Sequence, residues 1–184
     1  MVYALWAAVC VIGLLSLLTL VLTVGVIRRL REHTERLDGL YERTGTPAPG
    51  LQAGEVADDF EATTGDGETL SGASLGERTL IGFFSPSCKP CKELAPKFVE
   101  LAAGMSRDEV IAVIAGFPDE MGDMRDLLSP VAKVVADDAD GGPLAKAFGV
   151  EAFPRVFLVD EDRKVLAAGH TLDALDGVLA PAHG

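Results

Sequence analysis

The sequence predicts an α/β domain, with a mixed central sheet and helices on both faces, preceded by one N-terminal transmembrane helix. Two apolar runs of buried-strand length, Thr79–Phe84 and Val110–Ala115, flank a segment with helical spacing that extends from Lys89 to about Met105. A strand, a helix and a strand in this order form a βαβ unit, whose two strands pair in parallel. Residues 2–27 carry no charged side chain, and a helix of that length exceeds the roughly 30 Å hydrocarbon core of a bilayer.

The N-terminal stretch is predicted to anchor the chain in a membrane and to contact its lipid. A cleaved signal peptide would start with basic residues and contain an apolar stretch of only about 7 to 15 residues, whereas Met1–Ala4 has no basic side chain. Residues 28–49 then read as a juxtamembrane stalk with an amphipathic helical pattern, followed by a linker rich in Pro and Gly. Residues 50–182 are predicted to be the folded domain.

Shorter patterns predict the other elements of the domain. Val56–Phe60 and Glu68–Leu70 are expected to be short strands on either side of the turn Gly65–Gly67. The remaining predictions are a helix at Glu120–Leu128, a strand at Lys133–Ala136, a helical turn at Pro143–Phe148, a hairpin of Arg155–Asp160 with Lys164–Ala168, and a last helix at Leu172–Leu179. Together these elements complete a mixed sheet with helices on both faces.

The charge of the domain excludes one class of partner. Residues 50–184 carry eleven Lys and Arg against twenty-four Asp and Glu, a formal net charge of -13. Binding to nucleic acid depends largely on Lys and Arg side chains that displace counterions from the phosphates. We therefore expect no nucleic-acid partner.

The motif Cys88-Lys89-Pro90-Cys91 lies where the first buried strand gives way to a helix. Cys88 is predicted at the helix N-terminus, where unsatisfied backbone N–H groups and the helix dipole stabilise a thiolate, and Lys89 adds positive charge. A depressed pKa is therefore expected for Cys88. Cys91, nearly one helical turn later, is expected to be more buried and close enough to form a disulfide, which suits it to resolve a mixed disulfide.

Metal binding is an alternative use of the same pair. Soft thiolates suit Cu(I), so a membrane-tethered copper or assembly chaperone stays open as a second class of function. A closed zinc site needs four ligands, and the three histidines, His33, His170 and His183, are distant from the motif in sequence. Neither a metal nor another cofactor is predicted.

A thiol peroxidase is the third alternative, because peroxidatic cysteines also lie at the start of a helix in a related fold. The peroxiredoxin pattern is Pro-x-x-x-Thr/Ser-x-x-Cys. Ser85 fits its hydroxyl position relative to Cys88, but Ile81 stands where the pattern has Pro. With Cys91 so close, exchange of a dithiol with a disulfide is the favoured chemistry.

Residues 50–180 resemble the TlpA-like and MauD-like branch of the thioredoxin superfamily. The shared features are the stretch Phe83–Cys91, Pro96 in the first helix, the inserted helix before Val131, and Phe153-Pro154 leading into Val156–Asp160. The uncleaved N-terminal helix is similar to that of MauD-like proteins in particular. The resemblance implies a thioredoxin-like fold and a thiol:disulfide oxidoreductase activity.

The same resemblance implies the composition of the active site. Phe153-Pro154 would be joined by a cis peptide bond and would set the backbone beside the two thiols, so that a substrate chain could pair there. Cys88, Cys91 and Pro154 would be the catalytic residues. The supporting residues would be Ser85, Lys89, Pro90 and Phe153.

Three positions depart from the family pattern. Thioredoxins carry a buried Asp six residues before the first Cys, where this chain has Gly82, and many TlpA-like reductases carry Glu three residues after the second Cys, where it has Leu94. Ser87 replaces the Trp that often precedes the first Cys, as in MauD-like relatives. The proton of Cys91 is therefore expected to pass to water, or to an acid elsewhere such as Glu120.

The resulting hypothesis is a single-pass membrane protein that exchanges disulfides with protein partners and is re-reduced by a membrane-bound electron donor. Arg28, Arg29 and Arg31 directly follow the span, and the positive-inside rule alone would place the domain in the cytoplasm. MauD-like relatives are placed outside the cytoplasmic membrane, and we expect the same here. Lys89 and Pro90 favour opposite directions of electron flow, Lys89 an oxidising pair and Pro90 a reducing one.

Overall fold

The computed structural model describes Tyr3, Trp6 and residues 50–138 and 141–179. The predicted transmembrane helix and stalk, residues 2–49, lie outside this described part, except for Tyr3 and Trp6, which are helical. Among the residues described, no helix is both long and apolar enough to cross a bilayer.

Within the described part of the unit Ala48–Gly184, seven strands and four α-helices follow one another. The strands are β1 (Glu61–Thr63), β2 (Thr69–Ser71), β3 (Thr79–Phe84), β4 (Val110–Ala115), β5 (Lys133–Asp137), β6 (Arg155–Val159) and β7 (Val165–Gly169). The α-helices are α1 (Lys89–Ala102), α2 (Gly122–Leu128), α3 (Pro143–Ala147) and α4 (Asp176–Leu179). Short 3-10 turns lie at Gly72–Ser74, Arg107–Glu109 and Leu172–Leu175.

Five of the strands form one mixed sheet in the order β5-β4-β3-β6-β7. Strands β3, β4 and β5 are parallel, whereas β6 is antiparallel to β3 and to β7. The parallel pair β3 and β4, joined through α1, confirms the predicted βαβ unit, and β6 with β7 confirms the predicted hairpin. β1 and β2 form a separate antiparallel pair, in which Ala62 lies opposite Leu70.

Helices cover both faces of the mixed sheet, as predicted. In β3, Leu80 and Phe84 face a core that includes α1 and α2, while Ile81 and Phe83 face a second core that includes α3 and the β1–β2 pair. A strand that is buried on both faces reads as a continuous apolar run, which explains the sequence of Thr79–Phe84. β3 is therefore the centre of the domain, and its C-terminal end carries the thiol motif.

The prediction of a strand at Val56–Phe60 is wrong. The backbone N–H of Ala57 donates to the carbonyl of Arg163 at 3.0 Å, and that of Asp58 donates to the carbonyl of Ala147 at 3.2 Å. These two carbonyls belong to the β6–β7 turn and to α3, so the segment bridges two elements and cannot extend a ladder with either of them. The hairpin around Gly65–Gly67 is present, but its first strand, β1, starts only after Phe60.

Several other boundaries differ from the predicted ones by a few residues. α1 ends at Ala102 and not near Met105, and α2 begins at Gly122 and not at Glu120. The last predicted helix, Leu172–Leu179, starts as a 3-10 turn before it becomes α4. Apolar periodicity indicates which face of a helix is buried, whereas its ends depend on local backbone hydrogen bonds, which the pattern does not encode.

Gly82, in the middle of β3, leaves room for two aromatic rings. Phe84 and Phe98 of α1 pack edge to face beside it, with ring centroids 5.2 Å apart. A Cβ atom at Gly82 would lie 2.6 Å from Phe84 Cε2 and 2.7 Å from Phe98 Cε2. Non-bonded carbon atoms do not approach each other so closely. The position where thioredoxins carry a buried Asp is therefore filled by aromatic packing in this chain.

We predict that Gly82→Ala lowers the free energy of unfolding of the full-length protein by about 2 kcal/mol, because the added methyl group overpacks the Phe84–Phe98 contact. Gly122→Ala is the matched control, since no atom lies within 4 Å of a Cβ at that helical position. The control should be neutral or more stable by up to about 1 kcal/mol. Denaturant unfolding followed by circular dichroism measures both variants, and equal stability of the two would contradict the packing argument.

Candidate active site

The junction between β3 and α1 positions the first thiol. After β3 ends at Phe84, the backbone N–H of Cys88 donates to the carbonyl of Ser85 at 3.1 Å. Cys88 is the N-cap of α1, with an extended backbone (φ -87°, ψ 119°), and Pro90 lies in the first turn of the helix. A proline is tolerated there because the first turn has no intrahelical partner for its N–H group. The chain thus turns from strand to helix at Cys88.

The two sulfur atoms are in unequal environments. Cys88 is half-buried, and its Sγ accepts a hydrogen bond from the backbone N–H of Cys91 at 3.3 Å. The Cys88 thiol also donates to the carbonyl of Phe153 at 3.5 Å. Cys91 is fully buried and packs in the same core as Leu94 and Phe98. The prediction that Cys91 is the more buried of the two is confirmed.

Cys91 is held in its protonated form. A hydrogen bond with the Cys88 side chain and, next, burial raise the pKa of the Cys91 thiol, while a hydrogen bond with the Ser85 backbone acts in the opposite direction. Both cysteines are present as thiols. The pair therefore consists of one accessible sulfur and one sulfur that resists ionisation.

Within the described part of the chain, no carboxylate is among the groups that shift the pKa of the Cys91 thiol. Among residues 50–138 and 141–179, the groups that act on the Cys91 thiol are Cys88, the Ser85 backbone and its own backbone. Leu94 is buried one turn away, and Glu120 lies in an exposed loop before α2. The acceptor of the Cys91 proton, water or an acid such as Glu120, therefore stays a prediction from the sequence.

The Phe153-Pro154 peptide bond is cis, as the resemblance implied. Pro154 is buried and Phe153 half-buried, and the Phe153 carbonyl is the acceptor for the Cys88 thiol. The structure therefore brings the carbonyl of Phe153 to the sulfur of Cys88, from which it is separated by 65 positions in sequence.

Two side chains hold the Pro154 segment from either end. The imidazole of His170 donates from Nδ1 to the Pro154 carbonyl at 2.7 Å, since a carbonyl can only accept. Arg155 is buried against the ring of Phe157, with its guanidinium carbon 5.2 Å from the ring centroid, and donates to the Leu51 carbonyl at 3.1 Å. No role was predicted for His170 from the sequence. The signal that could have found it is its place just after β7, opposite the start of β6.

The other predicted supporting residues lie next to Cys88 in sequence, in the active-site loop and the first turn of α1. Lys89 and Pro90 are exposed on the first turn of α1. Ser85 is nearly buried, and its hydroxyl bonds with that of Ser87 at 3.1 Å. This bond directs the Ser85 hydroxyl toward its neighbour in the loop. No group of three His, Cys, Asp or Glu side chains able to hold a metal ion occurs among the described residues.

Comparison with known proteins gives the class of this chain. Residues 53–168 match the AhpC/TSA family. Over 139 residues the chain is 30% identical to the thiol-disulfide oxidoreductase ResA of Bacillus thuringiensis subsp. konkukian. The aligned part covers 69% of this chain and 75% of that protein. The thioredoxin domain of a thiol-disulfide oxidoreductase from Bacteroides vulgatus superposes with a TM-score of 0.56 at 19% identity, over 69% of this chain and 94% of that one. A thio-disulfide isomerase from Thermus thermophilus superposes with a TM-score of 0.53 at 22% sequence identity, and the match covers 68% of this chain and 95% of that one.

The fold and these relatives define a thiol-disulfide oxidoreductase of the thioredoxin superfamily, homologous to the ResA proteins. The chain belongs to the AhpC/TSA family. The resemblance to the thioredoxin superfamily that was expected from the two motifs is thereby confirmed.

If Cys91 resolves a mixed disulfide on Cys88, as the sequence predicts, its environment determines how the rate of that attack depends on pH. In a mixed disulfide on Cys88 the hydrogen bond between two thiols is gone, but burial still raises the pKa of Cys91. Only the thiolate attacks, so the resolving rate should increase about tenfold per pH unit and continue to rise beyond the ordinary cysteine pKa of about 8.5. The measurement is release of a chromophoric thiol preloaded on Cys88 of the full-length protein. A rate that levels off below about pH 8 would contradict the raised pKa.

Proposed function

We propose that Cys88 and Cys91 are the redox couple with which this oxidoreductase exchanges disulfides with protein partners. The observation that carries the proposal is the hydrogen bond from the Cys91 N–H to the Cys88 sulfur at 3.3 Å, at the start of a 14-residue helix. Such a donor, together with the positive end of the helix dipole, stabilises negative charge on Cys88 as its proton leaves. Cys88 is also the accessible member of the pair.

The proposed reaction has two exchange steps. The Cys88 thiolate attacks one sulfur of a partner disulfide, so that a mixed disulfide forms and the other partner sulfur leaves as a thiolate, which then takes up a proton. Cys91 loses its proton and attacks the Cys88 sulfur, which releases the second partner thiol and leaves a Cys88–Cys91 disulfide. The partner gains two electrons and two protons, and the enzyme loses them.

The Phe153 carbonyl can position the partner chain while Cys88 attacks its disulfide. While Cys88 is a thiol, this carbonyl accepts its S–H group at 3.5 Å. When Cys88 has lost that proton, the Phe153 carbonyl no longer receives this hydrogen bond and can accept one from another donor. A backbone N–H of the partner chain next to its disulfide can take the place of the S–H, which supports an assignment of Phe153 and Pro154 to substrate positioning.

The return of electrons and the location of the domain are part of the same proposal. The uncharged stretch at 2–27 supports a single membrane span, and a membrane-bound dithiol donor would re-reduce the Cys88–Cys91 disulfide. We place the domain on the extracytoplasmic side. A partner protein with an exposed disulfide is more common in that compartment than in the cytosol.

We predict that Cys91→Ser in the full-length protein accumulates a mixed disulfide between Cys88 and a disulfide substrate such as insulin, because the attack that would release it is lost. Cys88→Ser should form no such adduct and should reduce insulin at least about 10³-fold more slowly, as expected on loss of a nucleophile. Non-reducing electrophoresis with mass spectrometry detects the adduct. The result against the proposal is no adduct with Cys91→Ser together with rapid consumption of hydrogen peroxide, which would make the protein a thiol peroxidase.

A further inference from the structure

A groove of about 260 Å³ runs beside the active-site loop, between α1 and α2. Its apolar lining comes from Pro86 of the loop, Ala95 of α1, and Met124 and Leu127 of α2. Leu127 is 38% exposed, so part of this apolar surface is in contact with solvent. Pro86, Ala95 and Met124 are buried and form the floor of the groove, and Leu127 lies at its exposed edge.

The polar lining of the groove is mainly acidic. Glu120 and Asp123 line it from the side of α2, and Lys92 lines it from α1. Within residues 50–138 and 141–179, neither carboxylate forms an ion pair or a side-chain hydrogen bond, and both residues are exposed. Their charges are therefore available to a ligand, and the formal charge of -13 over residues 50–184 adds to the attraction for a cation.

The loop that carries Glu120 also carries an exposed aromatic residue. Phe117 is 61% exposed, and its carbonyl accepts the backbone N–H of Glu120 at 3.0 Å, so the ring and the acid lie on the same short loop. Gly116, the residue before it, packs against Pro86: a Cβ at Gly116 would be 3.1 Å from Pro86 Cδ. An apolar floor and two carboxylates therefore meet in one groove beside the active-site loop.

Two residues that line the groove are close in sequence to the two cysteines. Pro86 stands two residues before Cys88, and Lys92 directly follows Cys91. A polypeptide whose cysteine is bonded to Cys88 has its neighbouring residues within a few ångströms of this loop, since consecutive Cα atoms are about 3.8 Å apart. The groove can therefore contact residues close to the partner's disulfide.

We propose that this groove binds the partner polypeptide next to its disulfide, taking one apolar side chain against Met124 and Leu127 and an adjacent Lys or Arg against Glu120 and Asp123. This inference rests on the proposed function, because the groove acts on the partner that Cys88 attacks. It assigns a substrate class to the enzyme: disulfides flanked by an apolar residue and a basic residue. The lone Lys92 disfavours a second cation at the α1 side of the groove.

The test uses two synthetic peptides, each with one internal disulfide, which differ only in a Leu-Arg or a Leu-Glu pair beside one cysteine. The reduced full-length protein is mixed with either peptide, and the single-turnover rate constant is measured by acid quench and alkylation. The enzyme dithiol becomes a disulfide and the peptide disulfide becomes a dithiol, so no other reductant is needed. We expect the Leu-Arg peptide to react at least about fivefold faster, the effect of roughly 1 kcal/mol at an exposed ion pair.

Two double variants separate the groove from the general charge of the domain. Glu120→Gln with Asp123→Asn should remove most of the preference for the Leu-Arg peptide and leave only the part due to the general charge of the domain. Glu61→Gln with Glu77→Gln is the matched control, because it removes two exposed carboxylates on β1 and before β3, and it should keep the preference. The preference of the wild-type protein should also fall in about 1 M salt, where exposed charges are screened within about 3 Å.

Two outcomes overturn the assignment of the groove: an unchanged preference in the Glu120→Gln, Asp123→Asn variant, or an equal loss in the control. Leu127→Ala tests the apolar part independently, since it should slow the Leu-Arg peptide and leave a Ser-Arg peptide unaffected. If the wild-type protein reduces neither peptide, then the dithiol exchange by Cys88 and Cys91 itself fails, which is distinct from a failure of the groove.

Discussion

Helix α1 is capped at its N-terminus by a sulfur atom. The Cys88 Sγ accepts a hydrogen bond from the backbone N–H of Cys91, where most helices have a side-chain oxygen as the acceptor. The cap requires that the chain leave β3 in an extended conformation and enter the helix within four residues. β3 holds the start of this segment in place, because it is buried on both faces and paired with a strand on both edges. The direction of the Cys88 sulfur is therefore set by the central strand of the sheet and not by a surface loop.

The same arrangement makes the two thiols unequal. Cys88 is half-buried and within reach of the Phe153 carbonyl, while Cys91 faces the core with Leu94 and Phe98. The aromatic rings that pack over Gly82 fill the space in which thioredoxins carry an acid. Because the hydrogen bond with Cys88 and burial raise the pKa of the Cys91 thiol, the proposed resolution of the mixed disulfide would be the pH-sensitive step.

Much of this could be predicted from the sequence, because the relevant signals are local. Continuous apolar runs identified β3 and β4, helical spacing identified α1, and the cysteine pair lay between them. Long-range contacts were not visible: Val56–Phe60 has the composition of a strand, yet its backbone bridges α3 and the β6–β7 turn. The bond of His170 to Pro154 likewise depends on the β6–β7 register, which a single sequence does not specify.

The central claim is that Cys88 and Cys91 form one two-electron couple, and equilibrium titration of the full-length protein in thiol–disulfide buffers tests it most directly. The account predicts a single transition in which both cysteines become resistant to alkylation together, with a midpoint between about -270 mV, as in thioredoxin, and about -120 mV, as in strongly oxidising relatives. Oxidation of Cys88 alone to a mixed disulfide with the buffer, while Cys91 stays reactive as a thiol at every potential, would contradict it.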